Sequence, residues 1–442
     1  MKTLLQATLL ATITFISSIS HAVTMNLEEA INHALRQNHQ IKQLQHQRQA
    51  LKNQKKAAQS GLLPALSVNA SYTHYSDIEP FSIQIPLPGW QPFELMPNIP
   101  NQYGMRLTLS QPLFTGFRLI SSIKRADYAY QAMDAQSLLM EKELIYQIRK
   151  SWWQTQYLIQ VCKLTEKSMN MLETHAQQMK NYHQQGLITL AEVLNVEVEW
   201  HSLRLTLTQN RHRRELSELM VKNLLAMNPD TPLIMSDTIP ELWEKRDDPE
   251  LKDAWVHHLQ LERLRWEKAM EQTQVTTAKA DFFPRIMLMA NWTQARPNQR
   301  FFPLSDEWNN YWDVGVVFSW DIWNWGRDCY RTNAAKESVA ARDEAISQTT
   351  ANLKMEWARI NQQLRENEER LVLTAQSLEA AETHYQEWKH QFDSGILLNS
   401  RLLEAETALY RCRVERADAR IAYQLSLAER DRFLAGYSDE RH

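Results

Sequence analysis

The sequence predicts a mainly helical fold with a β minority: a duplicated unit of a strand hairpin followed by long coiled-coil helices. Three observations carry that prediction. Glycine is scarce, nine in 442 residues, and inside a helix it costs about 1 kcal/mol relative to alanine. The stretches Leu113–Asn228 and Leu304–His442 contain no proline. Ahead of each long helical stretch, the apolar period switches to two, the spacing of a strand with one buried face.

Composition excludes several functions before any motif is read. Lys+Arg number 49 against 52 Asp+Glu, a net charge of −3, too balanced for nucleic-acid binding through bulk charge. An apolar share of 43% argues against wholesale disorder. The cysteines Cys162, Cys329 and Cys412 lie far apart with no CxxC. A disulfide framework and a cysteine-based zinc site are therefore excluded.

The order of elements begins with a leader. Met1–Ala22 carries Lys2, an apolar run from Leu4 to Ile19 and the end Ser20-His21-Ala22, the pattern of a secretory signal peptide. Export follows from it, and no cysteine beside the expected cut invites lipid attachment. No later segment offers the ~18 apolar residues of a spanning helix. An inserted β-barrel also lacks such runs, so soluble and membrane-embedded states both remain open at this point.

The rest is written twice. Phe114 and Trp323, Gly186 and Gly395, and Leu225 and Leu434 are each 209 apart. Gly61-Leu62-Leu63-Pro64 matches Asp281-Phe282-Phe283-Pro284 at an offset of 220. The offsets differ by 11, and the extra residues fall in a proline-rich loop carrying Pro80, Pro86, Pro88, Pro92, Pro97 and Pro100. The first repeat is expected over 23–228, with a β-hairpin at 65–112 and a helical hairpin at 116–228. The second is expected over 229–442, with a β-hairpin at 285–322 and a helical hairpin at 326–436. A proline-bearing link, Asn228–Pro249, joins them.

Each repeat justifies its elements. Arg118–Gln185 and Arg327–Ser394 are long enough for helices of roughly 100 Å, which need partners along their length. In the second, Val339, Ile346, Leu353 and Ile360 form one seven-residue row. Trp357, Leu364, Leu371, Leu378, Tyr385 and Phe392 form the other, as a and d positions do in a coiled coil. Gly186 and Gly395 suit turns that fold the next helix back. Leu66, Val68, Ala70 and Tyr72 alternate with polar residues, as do Met105, Leu107 and Leu109. Ile286, Leu288, Ala290 and Trp292 make a third strand, and Trp312 to Trp320 a fourth. Strands of this length suit a membrane, and six of the 15 Trp fall in 292–325, where rings mark a membrane–water boundary. The alternation alone also fits two hairpins on a soluble helical body. Export and the very long helices weigh against that. Four strands cannot close a membrane barrel, which starts at eight, so insertion would require several copies.

With these residues in hand, the chain resembles the TolC family of outer-membrane efflux and secretion channels over essentially its whole exported length. The opening, Asn26-Leu27-Glu28-Glu29-Ala30-Ile31 through Asn38-His39-Gln40-Ile41, is similar to the family's first helix. The corners Gln111-Pro112-Leu113-Phe114 and Trp323-Asn324-Trp325-Gly326 and the tip glycines complete the resemblance. It implies a homotrimer with a 12-stranded outer-membrane β-barrel, continued by a periplasmic α-helical barrel. It also implies a periplasmic adaptor, an inner-membrane pump or type I secretion partner, contact with outer-membrane lipid, and no cofactor.

The resemblance places a periplasmic gate one to two turns past the tip glycines, at Glu192, Asn195, Arg401 and Glu404. Arg401 is basic where the family often carries an acid. Salt bridges from Arg401 to Glu192 or Glu404 would hold such an end shut; solvated surface charge is the competing reading. Gly186, Leu187, Ile188, Gly395, Ile396 and Leu397 are the expected adaptor contacts, against turns tucked into their own helices. No paired carboxylate, HExxH, nucleophile elbow or phosphate loop is present, so no enzyme is expected. A soluble periplasmic coiled-coil scaffold or chaperone is the alternative function.

Overall fold

The computed structural model describes residues 23–77, 81–83, 93–96, 98–238, 255–256, 258–298, 300 and 304–435. The expected signal peptide, most of the proline-rich loop and much of the link to Pro249 lie outside the described residues. In chain order the elements are β1 (Val23–Met25), α1 (Leu27–Gln37), α2 (His39–Ser60), β2 (Ala65–His74), β3 (Phe81–Ile83), β4 (Phe93–Met96) and β5 (Asn101–Phe114). Then come α3 (Arg118–Gln184), α4 (Leu190–Leu224), β6 (Leu233–Met235) and α5 (Leu259–Lys279). A 3₁₀ turn, Ala280–Phe282, leads to β7 (Arg285–Arg296), β8 (Asn309–Ser319), α6 (Arg327–Asp393) and α7 (Asn399–Ala435). The fold class is the one expected, mainly helical with a strand minority.

The chain divides into two units. One holds His46–Ala135 and Glu262–Gln348; the other holds Met1–Gln45, Gln136–Leu261 and Thr349–His442. In the second unit the heptad rows do their expected work. Leu353, Ile360, Leu364, Leu371 and Tyr385 are buried, and Leu364 and Leu371 pack with Ala419 and Tyr423 of α7. Another core joins α1 and α2 to α3 and α4 through Ala30, Ala34, Ile41, Ile148, Trp152, Val221 and Leu225.

Local chemistry sets the ends of the elements. Asn26 and Glu29 form a capping box at α1, at 2.8 and 2.9 Å, satisfying two orphan donors of the first turn. Asn38 breaks the opening helix in two. Its amide donates to Leu224 O at 2.9 Å and its Oδ1 accepts from Gln40 N at 2.8 Å. A short parallel pair, β1 with β6, is absent from the sequence reading because three-residue strands carry too little period to detect.

In the first unit, β5 runs to Phe114, beyond the expected end at 112, through a register shift at Pro112. Proline cannot donate to the ladder, so it sits at such an irregularity. β8 ends at Ser319, short of 322; the next residue, Trp320, donates its Nε1 to Phe282 O at 3.1 Å.

Both strand-to-helix corners use two consecutive left-handed residues. In the first they are Gly116 (φ 62°) and Phe117 (φ 69°); in the second, Trp325 (φ 56°) and Gly326 (φ 78°). The corners are equivalent at the 209 offset, yet the glycine has changed places. At Gly116 a Cβ would lie 2.6 Å from Ala280 O, whereas at Gly395 (φ 74°) nothing lies within 4 Å. Gly116→Ala is therefore expected to cost about 3 kcal/mol, from clash plus left-handed strain. Gly395→Ala should cost about 1 kcal/mol, from strain alone. Urea unfolding followed by circular dichroism measures both; equal costs would refute the corner contact.

Candidate functional site, a two-faced sheet and paired hairpin tips

The first unit presents an antiparallel sheet of order β2-β5-β7-β8. Pairing registers align side chains into rows across all four strands. Val68, Leu107, Trp292 and Trp312 make one row; Leu66, Leu109, Ala290 and Val314 make the next. Most of this apolar face is exposed, with Trp312 at 74% and Val316 at 62%. The opposite face carries Ser67, Thr108, Asn291 and Asp313 in one row. There Thr108 Oγ1 donates to Asn291 Oδ1 at 2.9 Å, and Asn291 Nδ2 donates to Asp313 Oδ2 at 2.9 Å. Toward the helices this second face turns apolar at Met287, Met289 and Val317.

Aromatic groups bracket the apolar rows. At one end Tyr103 stands 5.1 Å from Tyr72 and 5.7 Å from Trp308, ring centre to ring centre. At the other, Phe114, Phe117 and Phe283 meet edge to face, and Trp323 packs on Trp325. Trp312 to Trp320 covers about 27 Å of strand, or roughly 21 Å along a membrane normal at a barrel's tilt. That matches the apolar band of a membrane barrel. No helix among the described residues is long and apolar enough to cross a membrane.

The hairpin tips lie in the other unit. Leu187 N donates to Tyr182 O and Gly186 N to His183 O; Ile396 N donates to Gln391 O and Gly395 N to Phe392 O. Both are helix ends closed on a left-handed glycine. Leu187 is 67% and Ile396 78% exposed, as a contact surface requires. Ile188 and Leu397 differ from expectation. Ile188 packs on Leu172, Met179 and Val193, and Leu397 on Tyr385 and Leu402, because the residue after each turn must re-enter its own helix pair. Leu398, 72% exposed, takes the outward place.

Past the tips, a groove of about 660 Å³ opens between α4 and α7. Glu192, Asn195, Glu199, Glu404, Thr407 and Arg411 line it. Three of the four sequence-selected positions thus meet there, and Arg401 lies outside the lining. Its Nη1 pairs with Glu404 Oε2 at 3.2 Å, one turn along α7, with both side chains exposed; a pair of that kind contributes at most about 1 kcal/mol. Asn399 Nδ2 reaches Glu192 O at 3.4 Å.

One interaction escaped the sequence altogether. His175 Nδ1 and Glu406 Oε2 stand 2.8 Å apart with both side chains buried. They join α3 to α7 from positions 231 residues apart, a distance no local pattern reveals. Burial first, and the Glu406 charge second, raise the Tyr385 phenol above its ordinary range. Glu406→Ala leaves a buried His175 without its partner and is expected to cost about 3 kcal/mol, whereas His175→Leu with Glu406→Leu should recover most of it. Melting curves of the three proteins decide; a single mutant as stable as the parent would show that the pair contributes nothing.

Comparison with known proteins agrees with this geometry. The family model described as outer membrane efflux protein matches residues 30–226 and 251–432. No curated protein matches at a significant level. Among solved structures, the Campylobacter jejuni CmeC outer membrane channel aligns with a TM-score of 0.80 at 15% identity, covering 94% of this chain and 87% of that one. VceC, an outer membrane protein of Vibrio cholerae, aligns with a TM-score of 0.77 at 17% identity, covering 92% and 95%. The outer-membrane channel OprN gives 0.78 at 17%, covering 93% and 90%.

Proposed function

The chain belongs to the outer membrane efflux protein family, and from that premise we propose that three copies form one exit duct served by a periplasmic adaptor and an inner-membrane pump. Family membership makes the chain an outer-membrane efflux channel and a transport duct without enzymatic chemistry. The observation that carries the assembly is the sheet: among the described residues it has four strands, two open edges, one apolar face and one polar face. Unpaired backbone groups in lipid cost several kcal/mol each, and a membrane barrel needs at least eight strands. Three copies supply twelve, with β8 of one beside β2 of the next.

A stripe on α4 supports the same assembly. Leu190, Leu194, Val198, Leu205 and Leu216 are each about half exposed or more, an apolar surface suited to a neighbouring copy. A soluble scaffold would leave both this stripe and the apolar sheet face in water. Small-molecule efflux is the transport role we favour, since the matched family is defined by efflux. Type I secretion would use the same duct with a different inner-membrane partner.

The gate reading rests on the repeat. Glu192 and Arg401 occupy equivalent positions 209 apart, so a three-fold assembly would alternate acid and base around its axis. Neighbouring unlike charges would draw the helices together, and Arg401→Ala would leave carboxylates facing carboxylates. Single-channel conductance in a planar bilayer is expected to rise about two-fold or more; unchanged conductance removes Arg401 from the gate.

Function itself is tested at the tips. Leu187→Glu with Ile396→Glu is expected to lower dye efflux from cells about ten-fold while native gels still show the trimer. Undiminished efflux would move the adaptor contact elsewhere, and a monomer on the gel would overturn the assembly.

A further inference from the structure

The polar face of the sheet carries a charge pattern that transport alone does not explain. Arg106 on β5 is exposed, and its Nε donates to Thr293 Oγ1 at 3.4 Å. The Arg300 guanidinium lies 4.7 Å over the ring of Tyr311, and Tyr311 shares a row with Arg106 and Thr293. Among the described residues neither arginine pairs with a carboxylate. Asp313 is the acid on this face, and Asn291 already occupies its Oδ2. Arg285, at the helix end of the face, is paired with Asp281 at 3.3 Å. The surrounding positions are small or uncharged: Ser67, Asn69, Ser71, Gly104, Thr108 and Gly315.

We propose that Arg106 and Arg300 make the barrel lumen selective for anions, so that negatively charged solutes leave by this duct in preference to cations. The proposal rests on the trimeric-barrel reading, in which the polar face lines a water-filled lumen. Walls of low dielectric focus the field of fixed charges into such a lumen, and rings of arginine favour anions. Among the described residues each chain contributes two guanidinium groups with no carboxylate partner, against a hydrogen-bonded Asp313 on the face and an exposed Glu307 in the same β7–β8 connection as Arg300. The three-fold assembly repeats that arrangement around the axis. Arg106 sits in mid-strand, level with the apolar band on the other face, where a passing solute has least bulk water around it.

A thiol placed on the same face reads the local potential directly. Gly315 has open space where a Cβ would stand, so Gly315→Cys is tolerated there. Exposed Cys329 and half-buried Cys412 are first replaced by Ser; Cys162 is buried and stays. The purified full-length protein in detergent is then treated with methanethiosulfonates bearing either a sulfonate or a trimethylammonium group. Rates are normalised to free cysteine. The sulfonate reagent is expected to react about five-fold or more faster at ~10 mM salt. The preference should shrink toward unity at ~1 M salt, where the screening length falls to about 3 Å. Arg106→Gln with Arg300→Gln should abolish the preference, and Arg106→Lys should keep it. A ratio near one in the parent, or one unmoved by the double substitution, overturns anion selectivity and leaves the channel reading standing. No reaction with either reagent means that the face is not wetted, and the lumen reading falls together with this proposal.

Discussion

The constraint behind the proposed assembly is a four-stranded sheet whose two outer edges are unpaired among the described residues. Four antiparallel strands leave two rows of backbone donors and acceptors open. In water those edges would be tolerated or covered; in hydrocarbon they must be paired. The same strands present a largely exposed apolar face among the described residues. A closed barrel of several copies resolves both problems at once. In the proposed duct, self-association is a condition of the strand count and not an addition to a finished monomer.

The helices answer a different demand. A helix of 67 residues has no stability of its own to spare at the ends, and each long helix here is supported by a returning partner of 35 or 37 residues. The heptad rows of α6 supply the apolar seam. Charged pairs such as Arg370 with Asp418 at 2.6 Å and Arg359 with Glu429 run beside it. Those partly exposed pairs fix register more than they add stability. The buried His175 and Glu406 pair is of another kind: it is specific in geometry and lies where an apolar pair would pack as well.

Much of this was legible in the sequence. The long helices and the tip glycines were placed to within a residue, because proline-free runs and isolated glycines are strong punctuation. The strands were found through period two, and the 209 spacing tied the repeats together. What escaped was short or distant. β1 and β6 are three residues each, too short for any period. The halt at Asn38 depends on the carbonyl of Leu224, 186 residues away. At the tips the sequence marks whole turns as contacts, whereas the backbone sends Leu187 and Ile396 outward and Ile188 and Leu397 inward. Of the two partners that the sequence offers Arg401, Glu192 and Glu404, the structure shows Glu404, one helical turn along α7.

The exchanged glycine at the two corners has a consequence for engineering. The 209-residue offset makes the two corners equivalent by sequence, yet their surroundings differ. A Cβ at Gly116 would meet the carbonyl of Ala280 at 2.6 Å, while the equivalent Trp325 stands 85% exposed. The two copies have therefore become left and right parts, like a matched pair of hinges. Grafting the Trp-Gly corner onto the first copy would drive an indole into backbone. An exchange of corners between the copies would first require undoing that one contact.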